Sequence, residues 1–392
     1  MRDSASDFIR PVPDPEEGEK RRRPRRWLIF AGIVLLVLAL LLWYLMSQTT
    51  LLDGFLRSLR YMGKNGENYG SVSFESYGVT GYALAGDGLA IASRSGVTLF
   101  SEDGETLGKQ QAELSSPALE GTQDALLMYD IGGSFYGVMN LNGKLLCSGT
   151  AKGQIFDADI AENGSIALLS SSEEARAVAE VFDAKGSLLY RRTSKTSYLN
   201  ACALSPDGSY LAVAALGQEQ IAFSSSVKLY RTDSEEEGAE LSLGGQTIYD
   251  LRFLNGTTAC AIGSRSVSFF NTGGELLGQY SLDGCDLTGY AFGGNGYVAL
   301  ALDRYQTGSR YQLVLLAADG SVLASRSVEE APLHLSAAGD YVALLSAGKF
   351  SVYNLKLELQ SSGDSNGALR AFVRRDGTAI LAGTGEARLY IP

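Results

Sequence analysis

His334, in the segment Ala331-Pro-Leu-His-Leu-Ser336, is the single histidine of this 392-residue chain. A multi-histidine metal centre is therefore excluded, as is a Ser–His–Asp triad built on any other imidazole. The segment gives His334 no partner that would sharpen a catalytic role, so a structural one is expected. The four cysteines, Cys147, Cys202, Cys260 and Cys285, have no CxxC spacing and no neighbouring histidine, which argues against zinc. Each sits in or beside an apolar run, where cysteine serves as a small buried hydrophobe. No phosphate-binding loop or dinucleotide fingerprint occurs; the GGNG of residues 293–296 reads as a hairpin turn. The sequons at Asn163-Gly-Ser165 and Asn255-Gly-Thr257 fall in turns that need Asn-Gly for their own geometry. Carboxylates remain. Two acids at a fixed separation suffice for glycoside hydrolysis, and Asp157, Asp159, Asp250 and Asp286 are the candidates. Among 44 acidic residues their presence carries little weight. The expectation is a chain with no catalytic, cofactor-binding or metal-ligating residues.

The elements that would position such residues repeat along the chain. One series reads LAGDGLAIAS (84–93), IAENGSIALL (160–169), LSPDGSYLAV (204–213), FLNGTTACAI (253–262), FGGNGYVALA (292–301), LSAAGDYVAL (335–344) and VRRDGTAILA (373–382). A degenerate copy, LEGTQDALLMY, precedes Asp130. A second series follows each of these, as in GVTLFSEDGE (96–105) and LVLLAADGS (313–321). Asn-Gly and Asp-Gly between alternating apolar residues mark hairpins, because glycine accepts the positive φ such turns require. Each unit reads as four strands with a period of about 40–45 residues, the blade of a β-propeller. Eight blades are counted, with seven as the alternative because units two and seven are irregular. The last unit stops after its third strand, at Glu386-ARLYIP-Pro392. Its fourth strand is expected from the other end of the propeller, with Val72–Ser76 pairing to Leu389–Ile391 and removing two exposed edges.

Ahead of the repeats, Trp27–Met46 is 20 residues without a charge, about the length that spans a bilayer core, with aromatic residues near both ends. Six cations in Lys20–Arg26 precede it, so the positive-inside rule leaves the N-terminus cytoplasmic and residues 47–392 extracytoplasmic, at the cell membrane. No small-residue cleavage site follows, which favours an uncleaved signal anchor over a signal peptide. The expected organisation is a basic, disordered tail (1–26), a transmembrane helix (27–46), an amphipathic juxtamembrane connector (47–68) carrying Leu51, Leu52, Phe55, Leu56 and Leu59, and a propeller (69–392). Residues 1–46 carry a net charge of +2 and the remainder −13, so nucleic acid is an improbable partner.

The SPDGSYLAVAA unit resembles the inner hairpin of WD40-like and TolB-like propeller repeats. With the basic N-terminus, one apolar helix and the LRSLRYMGKNGENYGSVSFES connector, the chain is similar over its full length to an uncharacterised family of bacterial membrane-anchored propeller proteins. That resemblance implies the architecture and no activity. Both tryptophans, Trp27 and Trp43, precede the repeats, so the tryptophan docking of quinoprotein propellers is missing and a quinone cofactor is disfavoured. Long loops inside a compact repeat tend to carry function. Three stand out here: residues 170–178 with Glu173, Glu174 and Arg176; residues 217–226 with Gln218 and Glu219; and residues 303–312 with Arg304, Tyr305, Arg310 and Tyr311. The expected function is non-catalytic binding or scaffolding of an envelope protein, a peptide or a wall polymer. A carbohydrate-active enzyme and a ligand sensor acting with a partner protein are the alternatives.

Overall fold

The computed structural model describes residues 26–47, 57–62, 66–75, 78–219, 222–294, 296–304 and 311–392. Helix α1, Arg26–Ser47, belongs to one unit (Met1–Leu52), and everything from Asp53 onward belongs to a second. Among the described residues, no helix is long and apolar enough to cross a membrane.

The second unit is an eight-bladed β-propeller. Every blade is a four-stranded antiparallel sheet; seven are continuous in sequence, at residues 79–111, 117–150, 155–194, 198–244, 248–281, 286–328 and 332–364. Blade 8 combines Arg370–Val373, Ala379–Ala382 and Glu386–Ile391 with the early strand Gly66–Ser73, which closes the ring. Closure occurs as expected, but in another register. Val72 lies opposite Ala387, and Leu389 faces Tyr69. The closing strand begins nearer the N-terminus than the hydrophobic alternation of 72–76 suggests, and register shifts on either side of Tyr69 take up the difference.

Composition follows position in the blade. Second and third strands are mostly apolar and buried, as in Tyr341–Ser346, because both of their faces pack on neighbouring blades. Outer strands such as Leu276–Ser281 alternate between exposed and half-buried residues. The core is accordingly divided into eight apolar clusters, one between each pair of adjacent blades. Each buried Leu, Ile or Phe there contributes about 1.5–3 kcal/mol. The cluster between blades 8 and 1 also takes Tyr61, which directly follows the helical turn at residues 57–60. Leu59, one of the apolar residues of the expected amphipathic connector, is exposed, and residues 51–56 lie outside those described.

Two faces follow from the strand order. One carries the hairpin turns within each blade and is called the turn face. The other carries the connections between second and third strands and from blade to blade, and is called the loop face. Inner strands run from loop face to turn face. The irregular units have local causes. Blade 2 closes its first hairpin without a glycine, through Thr122-Gln123-Asp124-Ala125, where Thr122 Oγ1 accepts the Ala125 amide at 3.0 Å. In blade 7 the position filled elsewhere by glycine is Leu357, at φ 57°.

Candidate functional site

The inner edges of the eight blades surround a central channel. Their innermost strands present backbone amides with no further strand to bond, and such groups need partners when buried. Side chains of the preceding blade supply them. Asp157 Oδ2 accepts the Cys202 amide at 2.8 Å, and Asp159 Oδ2 accepts that of Leu204 at 2.8 Å. Across the ring, Ser336 Oγ accepts the Val373 amide at 2.7 Å, and His334 Nδ1 lies 2.9 Å from the Ala371 carbonyl. His334 therefore has a structural position. Burial and the nearby Arg370 push its pKa down to about 4, so it is neutral at physiological pH.

Six inner strands carry a one-residue irregularity at the loop-face end, which leaves Thr80, Phe156, Asn200, Tyr249, Thr288 and Leu333 outside the regular register. Such bulges re-aim side chains. They also place His334 level with Gly81, Asp157, Ala201, Asp250 and Gly289.

Asp157, Asp159 and Asp250 come together in the channel, with two groups that sequence reasoning missed. Arg252, on the inner strand of blade 5, spans blade 4: its Nη1 lies 3.1 Å from Asp159 Oδ1 in blade 3, and its Nη2 lies 2.9 Å from Glu120 Oε2 in blade 2. Its guanidinium also lies 5.7 Å from the Phe292 ring centroid of blade 6. The only sequence signal for Arg252 is a second charge, two residues after Asp250, in an otherwise apolar and aromatic strand. Glu120 lies in the degenerate unit. Burial raises the pKa of Asp157 to about 7, with Asp250, Glu120 and Asp159 adding to the rise and the Cys202 amide opposing it. Asp159 and Asp250 are raised to about 6, again chiefly by burial, with Arg252 offsetting part of it. Burial alone would lower the pKa of Arg252, but Glu120, Asp159 and Asp250 hold it above its ordinary value. Asp286 stands apart, exposed at the loop-face end of blade 6. Among the described residues, no group of three or more His, Cys, Asp or Glu side chains is placed to hold a metal ion. The four cysteines are free thiols.

Arg252 borders a cavity of the channel, about 530 Å³ in volume, which lies toward the turn face and is bordered by all eight inner strands. Here Arg57 Nη1 donates to the Asp376 carbonyl at 2.6 Å, while Arg60 pairs with Glu102 and lies 3.6 Å from Asp87. The chain thus enters the propeller on its turn face. At the loop-face ends of the inner strands, Phe156, Tyr249, Leu333 and Leu369 are exposed, and Ile131 and Tyr198 are exposed on the same face.

The described residues of the expected binding loops lie on this second face. Glu173 and Glu174 border a groove of about 780 Å³ between blades 2 and 3, with Gly132, Gly133, Lys152 and Ser171. Arg176 stacks on Tyr198, its guanidinium 4.6 Å from the ring centroid. Residues 217–226 form a ribbon instead of a loop: Tyr210–Glu219 and Ala222–Arg231 stay paired out to Glu219 opposite Ala222. Gln218 faces Phe223 near the tip, where Phe223 is 69% exposed. Arg304 and Tyr311 are partly buried on blade 6, with Arg304 Nη2 3.4 Å from the Tyr280 hydroxyl. Tyr305, Arg310 and the side chain of Glu219 lie outside those described.

A family model described as "Family of unknown function (DUF5711)" matches residues 64–382, nearly the whole propeller. The chain belongs to this family. No curated protein matches it in sequence. Solved structures similar to this family member include the computationally designed Ika8 protein, at 15% identity and TM-score 0.61 over 83% of this chain and 100% of that one. The C-terminal WD40 domain of Sif2 is similar at 12% identity and TM-score 0.61, over 84% and 99%. Sqt1 of Chaetomium thermophilum, solved bound to the N-terminus of the ribosomal protein L10, is similar at 11% identity and TM-score 0.56, over 84% and 100%. At these identities the likeness establishes the fold: an uncharacterised family with WD40-like propeller architecture.

Proposed function

We propose that this family member is a non-catalytic binding module whose loop face docks a partner protein. The observation that carries this reading is that exposed aromatic side chains gather on the loop face, while the exposed large apolar side chains beside the turns are aliphatic, as at Leu188, Leu277 and Leu323. Phe156, Tyr198, Phe223 and Tyr249 form an exposed aromatic series across blades 3 to 5 on the loop face. Aromatic side chains of this kind supply most of the energy at protein interfaces. Support also comes from Sqt1, a propeller of similar fold solved with a bound protein N-terminus. The chemistry of the channel agrees: Asp157 and Asp159 cap backbone amides, and Arg252 stands between Asp159 and Glu120 where a glycosidase would need its sugar.

The second part of the proposal is anchorage. The uncharged segment 27–46 and the cations before it support a single-pass signal anchor with an extracytoplasmic propeller. Protease added to intact cells of the native host should then degrade the propeller and spare the N-terminal tail; protection of both would overturn this topology.

A photo-crosslinking residue placed at Tyr249 or Phe223 should capture a discrete partner in such cells, whereas one at Asp319 on the turn face should not. Equal capture from both faces, or none from either loop-face position, would remove the docking assignment.

A further inference from the structure

The loop-face mouth is layered. At the bulges of blades 3 and 5 the exposed rings of Phe156 and Tyr249 stand outermost. Their immediate successors, Asp157 and Asp250, lie one position deeper, and the ion-paired Arg252–Glu120–Asp159 group lies beyond them along the inner strands. The charges in these layers do not balance. Four carboxylates, from Glu120, Asp157, Asp159 and Asp250, face one guanidinium, from Arg252. Between Asp157 and Asp250 the inner strand of blade 4 contributes buried Cys202 and no cation. The other polar neighbours, Tyr129 and Tyr290, are neutral hydroxyls whose pKa values burial and these same carboxylates raise. Arg370 on the inner strand of blade 8, Arg176 stacked on Tyr198, and Asp286 at the start of the inner strand of blade 6 are further charged groups on this face among the described residues. Buried carboxylates without a counter-ion are costly, and an incoming cation relieves that cost. Aromatic faces beside carboxylates add cation–π attraction for ammonium or guanidinium groups.

Resting on the loop-face reading above, we infer that the partner presents an extended segment with a lysine or arginine flanked by apolar residues. The cationic side chain enters between Phe156 and Tyr249 toward Asp157 and Asp250, and the flanking residues cover the exposed aromatic and leucine side chains. Charge complementarity selects this occupant over an acidic segment, which the surplus carboxylates would repel, and over a purely apolar one, which would leave them buried and unpaired. Binding should tighten between pH 5 and 8, as Asp157 and Asp250, with pKa values of about 7 and 6, lose their protons.

The test is selection of short displayed random peptides on the full chain in detergent micelles, against the wild type, Asp157→Asn/Asp250→Asn and Tyr249→Ala. Asparagine keeps an oxygen for the Cys202 amide, and near-ultraviolet circular dichroism checks each fold. The wild type should enrich Lys or Arg next to apolar residues, and replacing that cation by norleucine in a selected peptide should weaken binding at least tenfold. The double asparagine variant should lose the basic preference, and Tyr249→Ala should lose most binding. Selected peptides with no basic preference that still need Tyr249 would overturn this inference and leave loop-face docking standing. Basic peptides indifferent to all three positions would place binding elsewhere, against both. Failure to select any peptide from the pool would also count against both.

Discussion

The turn face and the loop face are built from the same eight sheets, yet their backbones obey different constraints. On the turn face, hairpins close through glycines at positive φ and then nest against the neighbouring blade. Gly143, at φ 76°, approaches the Gly108 backbone so closely that a Cβ on it would stand 2.3 Å from the Gly108 Cα. On the loop face the units diverge: one extends a ribbon, others carry bulges, and the exposed side chains change from blade to blade. Repetition holds the ring together, while specificity can reside only where the repeats differ. The faces therefore divide stability from recognition.

Turn glycines test the first half of that division most severely. Gly143→Ala adds a Cβ against backbone that cannot move without opening the contact between blades 1 and 2, and should cost about 3 kcal/mol or more. Gly186→Ala sits at a similar φ of 83°, but its Cβ would meet nothing nearer than Cys147 Cβ at 3.4 Å. Its loss should be about 1–2 kcal/mol, the cost of the left-handed backbone alone. Denaturant unfolding of the full chain in detergent gives both values. Equal losses would mean that close nesting of adjacent blades contributes nothing.

The channel joins the two faces, and its pH response shows which way its carboxyls act on stability. Folding raises Asp157 to about 7 and Asp159 and Asp250 to about 6, from 3.8. Between about pH 4 and 7 the folded protein thus holds protons that the unfolded chain has released, so stability falls as pH rises. His334 acts in the opposite sense. Lowered from 6.5 to about 4, it makes stability rise with pH within that interval. Three carboxyls outweigh one imidazole, and above pH 6.5 only the Asp157 contribution continues. A net loss of about 2 kcal/mol from pH 5 to 7.5 is expected. Asp157→Asn should remove the part above pH 6.5; an unchanged slope in that variant would assign the response to other groups.

Sequence made the turn face readable and the channel largely opaque, for a physical reason. A hairpin is local: glycine at a fixed offset between alternating residues marks Gly104, Gly143, Gly186, Gly274 and Gly320, and all five have positive φ. The eight blades and the shared last blade follow from counting such signals. Arg252 could not be found in this way, because it meets Glu120 132 residues away and Asp159 93 residues away. Its partners are defined by ring closure, which no window of sequence contains. The one-residue bulges are similarly silent, and each moves the neighbouring side chains by a position. That is why the register of the closing strand differs from expectation. The long segments were legible as binding candidates, but the exposed rings of Phe156 and Tyr249 were not, since in sequence they read as ordinary inner-strand residues.

The smallest expected effect bears on the second half of the division. Phe223 and Tyr249 are 69% and 56% exposed, and neither belongs to an apolar cluster between blades. If the loop face serves recognition alone, Phe223→Ser and Tyr249→Ser should each change unfolding free energy by no more than about 0.5 kcal/mol, the range of surface substitutions elsewhere. Removing exposed aromatic area could even raise solubility. A loss approaching that of Gly186→Ala would show that these rings pack in the free protein. The same two variants should abolish partner capture, so one pair of substitutions separates a face that holds the fold from a face that uses it.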